Sequence, residues 1–213
     1  VRFAQPITAL REQITEGKGG RHAQVAVRLK RQAGEIARLA AASSFISPDQ
    51  ARLNLQEVGT RTYAEVRQEG KAVWNSLLGR IAVKDDLQRA RTFYSCLYRS
   101  LLFPRRFYEV DAKGSIVHYS PYSGEIRPGY MYTDTDTFRA LMPLINLVYP
   151  EEGAQIAEGL MNAYRESGFF PEWASPGHRD CMVGNNSASV LADAYLKGLG
   201  QLDSKELIPA LLH

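Results

Sequence analysis

The stretch SGFFPEWASPGHRDCMVGNNSAS, Ser167 to Ser189, gathers the densest set of groups able to do chemistry in the chain. Glu172 stands beside Trp173, His178, Arg179 and Asp180 follow, and Asn185 and Asn186 close the run. A carboxyl packed against an indole loses solvation of its charged form, which favours the protonated acid and suits it to donate a proton. The indole also offers an apolar face to a sugar ring. His178, Arg179, Asn185 and Asn186 are hydrogen-bonding types suited to a polyhydroxylated ligand, although a long loop needs the same groups to satisfy its own backbone. A second set is Asp134 and Asp136 in YTDTDTFRAL, just ahead of a helical pattern. Asp136 could fix sugar hydroxyls or a cation there, or simply cap the helix and complement its dipole.

Other chemistries lack their residues. No GxSxG, HExxH, Walker loop or GxGxxG occurs, which leaves serine-hydrolase triads, zinc proteases and nucleotide binding without support. Cys96 and Cys181 have no metal-ligand spacing, and the sequence leaves open whether they pair.

Pro171, Pro176, Gly168, Gly177 and Gly184 keep the chemical stretch out of helix, so other elements must position it. At the N-terminus, Val25, Val27 and Leu29 alternate with Ala26, Arg28 and Lys30, the period of a half-buried strand. This run, the turn around Gly34 and the segment Ile36 to Phe45 read as two strands joined by a turn, part of a larger sheet because an isolated hairpin is marginal in water. From Ser47 the signals become helical: SPDQARLNL puts Ser at the N-cap, Pro48 at the first helical position and Gln50 three residues after the cap. A second helix after Gly59 places Tyr63, Val66, Trp74, Leu77 and Leu78 roughly on one face. Residues 86–103 recur at three and four until Pro104 stops them. Strands and turns follow to about residue 132. Helices resume over 136–147, from Pro150, over SASVLADAYLKGLG and over DSKELIPALLH, where Asp203 and Glu206 have capping-box spacing. Short links make these helices antiparallel neighbours, with the insertions 104–135 and 168–185 as their functional loops. The fold class is α+β, mainly α.

Composition narrows the partners. With 45% hydrophobic and 23% charged residues among 213, the chain is globular. Its net charge of +3 is uneven: residues 1–40 hold eight Lys/Arg against three Glu. A nucleic-acid surface would interleave that charge with exposed aromatics, whereas here it lies on the polar side of a strand pattern, so no nucleic-acid partner is expected. No apolar run approaches the roughly 20 residues of a membrane span. The opening VRFAQPITAL has no basic-then-apolar secretion signal, and a processed start reads the same way.

The runs FYSCLYRSLLFP, EVDAKGSIVHYSPYSGEIRPGYMYTDT, DTFRALMPLINLVYPE and ESGFFPEWASPGHRDCMVGNNSASVLADAYLKG resemble glycoside hydrolase family 92, whose members are calcium-dependent exo-acting α-mannosidases. The resemblance extends from about Phe45 to the C-terminus. It implies an N-terminal β-sandwich ending at residues 1–46, linker helices over 47–84, and the first part of an (α/α)6 toroid over 85–213. It implies an inverting enzyme, α-1,2 in preference, that removes terminal mannose from glycans in the periplasm or outside the cell. Asp136 matches the family's sugar-binding Asp, but the Gly-aromatic-Trp insert that normally precedes it is missing, and Thr135 stands where Trp is expected. By the resemblance the catalytic acid, the carboxylates that activate water and the calcium ligands lie beyond residue 213. The chain alone is therefore expected to be inactive and to self-associate through exposed toroid faces. Within it, Asp136, Glu172, Trp173, His178, Arg179, Asn185 and Asn186 are the expected substrate-binding residues, and Glu172 is the one candidate acid, although the resemblance assigns that role elsewhere. The competing reading is a carbohydrate-binding or scaffold module without chemistry.

Overall fold

A computed structural model describes residues 1–18, 20–133, 137–179 and 181–212. The chain opens with four strands: β1 (Arg2–Phe3), β2 (Ile7–Gly17), β3 (Gly20–Leu29) and β4 (Leu39–Ala40). β2 and β3 form an antiparallel hairpin in which Leu10 faces Val27, Glu12 faces Val25 and Ile14 faces Ala23. The alternation read from the sequence thus gives one apolar and one polar face. Its expected partner is different, however. β3 pairs with the upstream β2, and Leu39–Ala40 pairs with Arg2–Phe3. The register of β2 and β3 runs out to the pair Gly17 and Gly20, so strands adjacent in sequence pair as a hairpin. Downstream, Gly34 at φ +81 turns the chain away, and Glu35 is engaged by Gln5 and the Gln32 N–H. The apolar face is also more open than expected, since Leu10, Ile14 and Val25 are each more than half exposed.

Three helices follow. In α1 (Pro48–Gln56) Ser47 Oγ accepts the Gln50 N–H at 3.0 Å, the cap its sequence called for. α2 (Tyr63–Leu78) begins with a reciprocal capping box between Thr62 and Glu65. α3 (Leu87–Ser100) is capped by Asp86, which accepts the N–H groups of Gln88 and Arg89. The face predicted for α2 is only partly used: Tyr63 is 80% exposed, while Trp74 meets the Tyr98 ring edge-on at 4.5 Å and Leu77 packs against the main core.

The middle of the chain is a set of short strands, as expected: β5 (Arg105–Arg106), β6 (Glu109–Val110), β7 (Ile116–Tyr119), β8 (Ile126–Pro128) and β9 (Tyr132–Thr133). β6, β7 and β8 make an antiparallel sheet, and β5 pairs with β9. The helical body comprises α4 (Leu141–Val148), α5 (Pro150–Ser167), α6 (Asn186–Leu196) and α7 (Ser204–Leu212). Its core centres on Met142, Ile145, Tyr149, Ile156, Leu160, Met161, Leu191 and Leu207. The fourth helix starts at Leu141, later than the 136 its pattern suggested, because residues 137–140 form a turn and Ala140 offers no capping side chain. Asp203 caps α7 through the Lys205 N–H, but Glu206 does not close a capping box. Both of its oxygens take the Arg165 guanidinium at 2.7 Å, a bidentate ion pair that ties α7 to α5.

Candidate functional site

α5 ends at Gly168, whose φ of +84 lets the chain leave the helix and begin the 168–185 loop. Phe170 and Pro171 anchor the first arm: Phe170 is buried against the Tyr164 ring at 5.0 Å, and the Pro171 carbonyl accepts the buried Ser187 hydroxyl from α6. The second arm returns through Gly177, buried at φ +78 against Pro121 in the β7–β8 turn. Between the arms, Glu172 Oε1 accepts the Arg179 N–H at 3.1 Å, and Oε2 lies 3.7 Å from His178 Nδ1. His178 Nε2 lies 3.0 Å from Ser167 Oγ, and its ring rests 5.1 Å from the Tyr122 ring. The Arg179 guanidinium donates to the Ser175 carbonyl. Glu172, His178 and Arg179 therefore form a clasp that holds the loop on itself. Trp173 beside it is half-buried.

A second arrangement lies on the other side of the loop. Thr137, Phe138, Arg139, Ala140 and Leu141 face Cys181, Met182, Val183 and Asn186 across an open groove of about 610 Å³. Of the two insertions that the sequence marked as functional loops, only 168–185 lines this groove among the described residues, and it faces the turn just ahead of α4. Asn186, the first residue of α6, lines the groove, while Asn185 is spent as the cap of that helix, accepting the Ala188 N–H at 3.2 Å. Thr137 Oγ1 is buried and has no hydrogen-bond partner among the described residues. Asp136, the expected sugar-binding carboxylate, lies outside the described residues, as do Asp134, Thr135 and Asp180; Thr137 follows Asp136 directly in the chain. Cys96 and Cys181 are both exposed and unpaired, which closes the disulfide question.

Beneath the clasp are three residues that the sequence did not single out. His118 on β7 is fully buried, with Nδ1 2.9 Å from the Gly129 carbonyl and Nε2 2.9 Å from Glu166 Oε1. Tyr122 sits beside them in the β7–β8 turn. Burial first, and then the negative charges of Glu166 and Glu172, push its phenol far above the ordinary tyrosine value, so it stays protonated. The signal was present in two places. His118 is flanked by the exposed Tyr119 in a strand register, and Glu166 lies three and four residues beyond Ala163 and Asn162 on the buried face of α5. Among the described residues no group of three or more His, Cys, Asp or Glu is arranged to hold a metal ion.

The structure thus joins a helical body, a polar and aromatic loop and an open groove. Residues 50–213 match the glycosyl hydrolase family 92 catalytic domain, and the chain belongs to that family. It is similar over 99% of its length to the family GH92 inverting mannosidase of Bacteroides thetaiotaomicron VPI-5482, at 41% identity and a TM-score of 0.87. A family GH92 α-mannosidase from Bacteroides thetaiotaomicron, known also in complex with mannoimidazole, is similar over 98% at 26% identity and a TM-score of 0.80. The chain spans only about a third of these proteins, 30–31% of their length. A comparison with curated protein sequences gives no significant match.

Proposed function

We propose that this chain is part of an inverting exo-α-mannosidase, α-1,2 in preference, that removes terminal mannose from glycans. The observation that carries the proposal is the 41% identity to an inverting mannosidase across 99% of the chain. Within that reading, residues 1–46 end a β-sandwich, 47–84 link it, and 85–213 begin an (α/α)6 toroid. Inversion needs two carboxyl groups about 6.5–9.5 Å apart with water between them. Within this reading those groups, and the ligands of the calcium ion, belong to the part of the enzyme outside this chain. What this chain contributes is a wall of the mannose site. Asp136, next in sequence to the groove residue Thr137, and Asn186, which lines the groove, hold sugar hydroxyls, and the 168–186 loop forms the rim with Trp173. Glu172 is committed to the Arg179 N–H and His178, so its role is to shape that rim.

The test is mannose release from an α-1,2-linked mannobiose, with the anomer of the first product read by proton NMR. The full-length protein is expected to release β-mannose with calcium and to stop with a chelator, and the 213-residue chain is expected to release none. Asp136→Ala in the full-length protein should lower kcat/KM by about 10²-fold or more, since a site built to hydrogen-bond a hydroxyl loses heavily when the partner is removed. Mannose binding without release by the full-length protein would favour a non-catalytic module.

A further inference from the structure

We propose that His118, Glu166 and Tyr122 are positioning residues for the 168–179 loop: they fix His178, and through it the clasp between Glu172 and Arg179. The functional part of this inference rests on reading that loop as the rim of a mannose site.

Three elements meet at this point. His118 comes from β7, Glu166 from the last turn of α5, and Tyr122 from the turn between β7 and β8. A carbonyl oxygen only accepts, so the His118 Nδ1 that faces Gly129 carries its hydrogen. Nε2 then meets Glu166 Oε1 across a contact that needs one more proton, on the ring or on the carboxyl. The ring is thereby held in one orientation at zero exposure, and Glu166 is fixed with it. The next residue, Ser167, inherits that placement. Its hydroxyl lies 2.8 Å from the Ala163 carbonyl, 2.9 Å from the Phe169 carbonyl and 3.0 Å from His178 Nε2. His178 is thus held from three sides: by Ser167 Oγ, by the Tyr122 ring at 5.1 Å and by the Glu172 carboxylate at 3.7 Å. Gly177 adds a fourth restraint, because it packs on Pro121, the neighbour of Tyr122.

The Tyr122 hydroxyl and Glu166 Oε2 are buried without hydrogen-bond partners among the described residues. What Tyr122 supplies to the loop is therefore its ring, and what Glu166 supplies is the single oxygen that meets His118. This separates the variants sharply. In the full-length protein, Tyr122→Ala and Glu166→Ala should raise hydrogen exchange in the 168–179 segment by about tenfold while the α4–α6 core keeps wild-type protection. In the same variants the KM for an α-mannoside should rise by about tenfold with kcat within about twofold, the pattern of lost substrate binding. Tyr122→Phe keeps the ring and Glu166→Gln keeps a partner for a neutral imidazole, so both should restore exchange and KM to wild-type values. Unchanged exchange in the two Ala variants would overturn the proposal, as would exchange raised throughout the helical body. If the wild-type protein releases no mannose, the mannosidase reading fails, and the exchange result alone decides whether these residues position the loop.

Discussion

Gly129 holds φ +96, and a Cβ added there would lie 2.6 Å from Asn162 Nδ2. That amide is already committed to the Tyr130 carbonyl at 3.0 Å, and its Oδ1 accepts from Arg165, so it cannot easily withdraw. The Gly129 carbonyl also receives His118 Nδ1. Gly129→Ala combines a left-handed backbone with a steric clash and should cost about 1–3 kcal/mol, read as a lowered denaturant midpoint. Asp86 is the cheaper case at the same scale. Its carboxylate caps two N–H groups of α3 while staying largely exposed, and Asp86→Ala should cost about 1 kcal/mol in the same measurement.

Between elements, α5 approaches α4 closely at Gly153. A Cβ on Gly153 would lie 2.4 Å from Asn146 Oδ1 and 3.3 Å from the Leu199 side chain. Alanine is the better helix former by about 1 kcal/mol, but forcing a methyl into a filled contact costs about 1–3 kcal/mol. Asn146 is 4% exposed and bound to Asp193 on α6 at 2.8 Å, so the cost should win. Gly153→Ala is therefore expected to lower the Tm despite its propensity. Two carboxylates that tie helices together also contribute to the loss of stability in acid. The Lys197 ammonium first, with the Asn146 amide after it, holds Asp193 below its ordinary value, and the Arg165 guanidinium does the same for Glu206. Both groups are lowered in the folded state, so their contribution is complete above the ordinary carboxylate range and is lost as pH falls below that range through the lowered folded values. Tm should decline below about pH 4, and the pair of changes Asp193→Asn and Glu206→Gln should flatten that decline.

For the molecule as a whole, the β2–β3 hairpin presents an apolar face, with Ile14 60% and Leu10 55% exposed. Ile14→Thr should change the stability of the 213-residue chain by no more than about 0.5 kcal/mol, as at other surface positions. If a sandwich layer covers this face in the full-length protein, the same change should cost about 1–3 kcal/mol there. The comparison of the two melts measures whether that layer exists. Much of this architecture was legible in the residues because local physics fixes it. Ser47 with Pro48 started α1, Pro104 followed the end of α3, and the Pro and Gly residues of 168–184 kept that stretch out of helix whatever it packs against. The family was legible too, since long runs of sequence carry it. The partner of β3 was not, because a strand's period names its faces and leaves its neighbour open, and the register shows it to be β2. Nor was the division of labour around the loop. Glu172, His178, Arg179, Asn185 and Asn186 are similar as hydrogen-bonding types, and only their placement shows that Asn185 caps a helix, Asn186 lines a groove and the other three clasp the loop. His118 and Glu166 are 48 residues apart, and their contact exists because β7 and the end of α5 pack together. Sequence by itself determined which groups were present and which local shapes they took. The tertiary structure decided which of them meet, because buried polar groups pair for the most part with whatever the fold brings within reach.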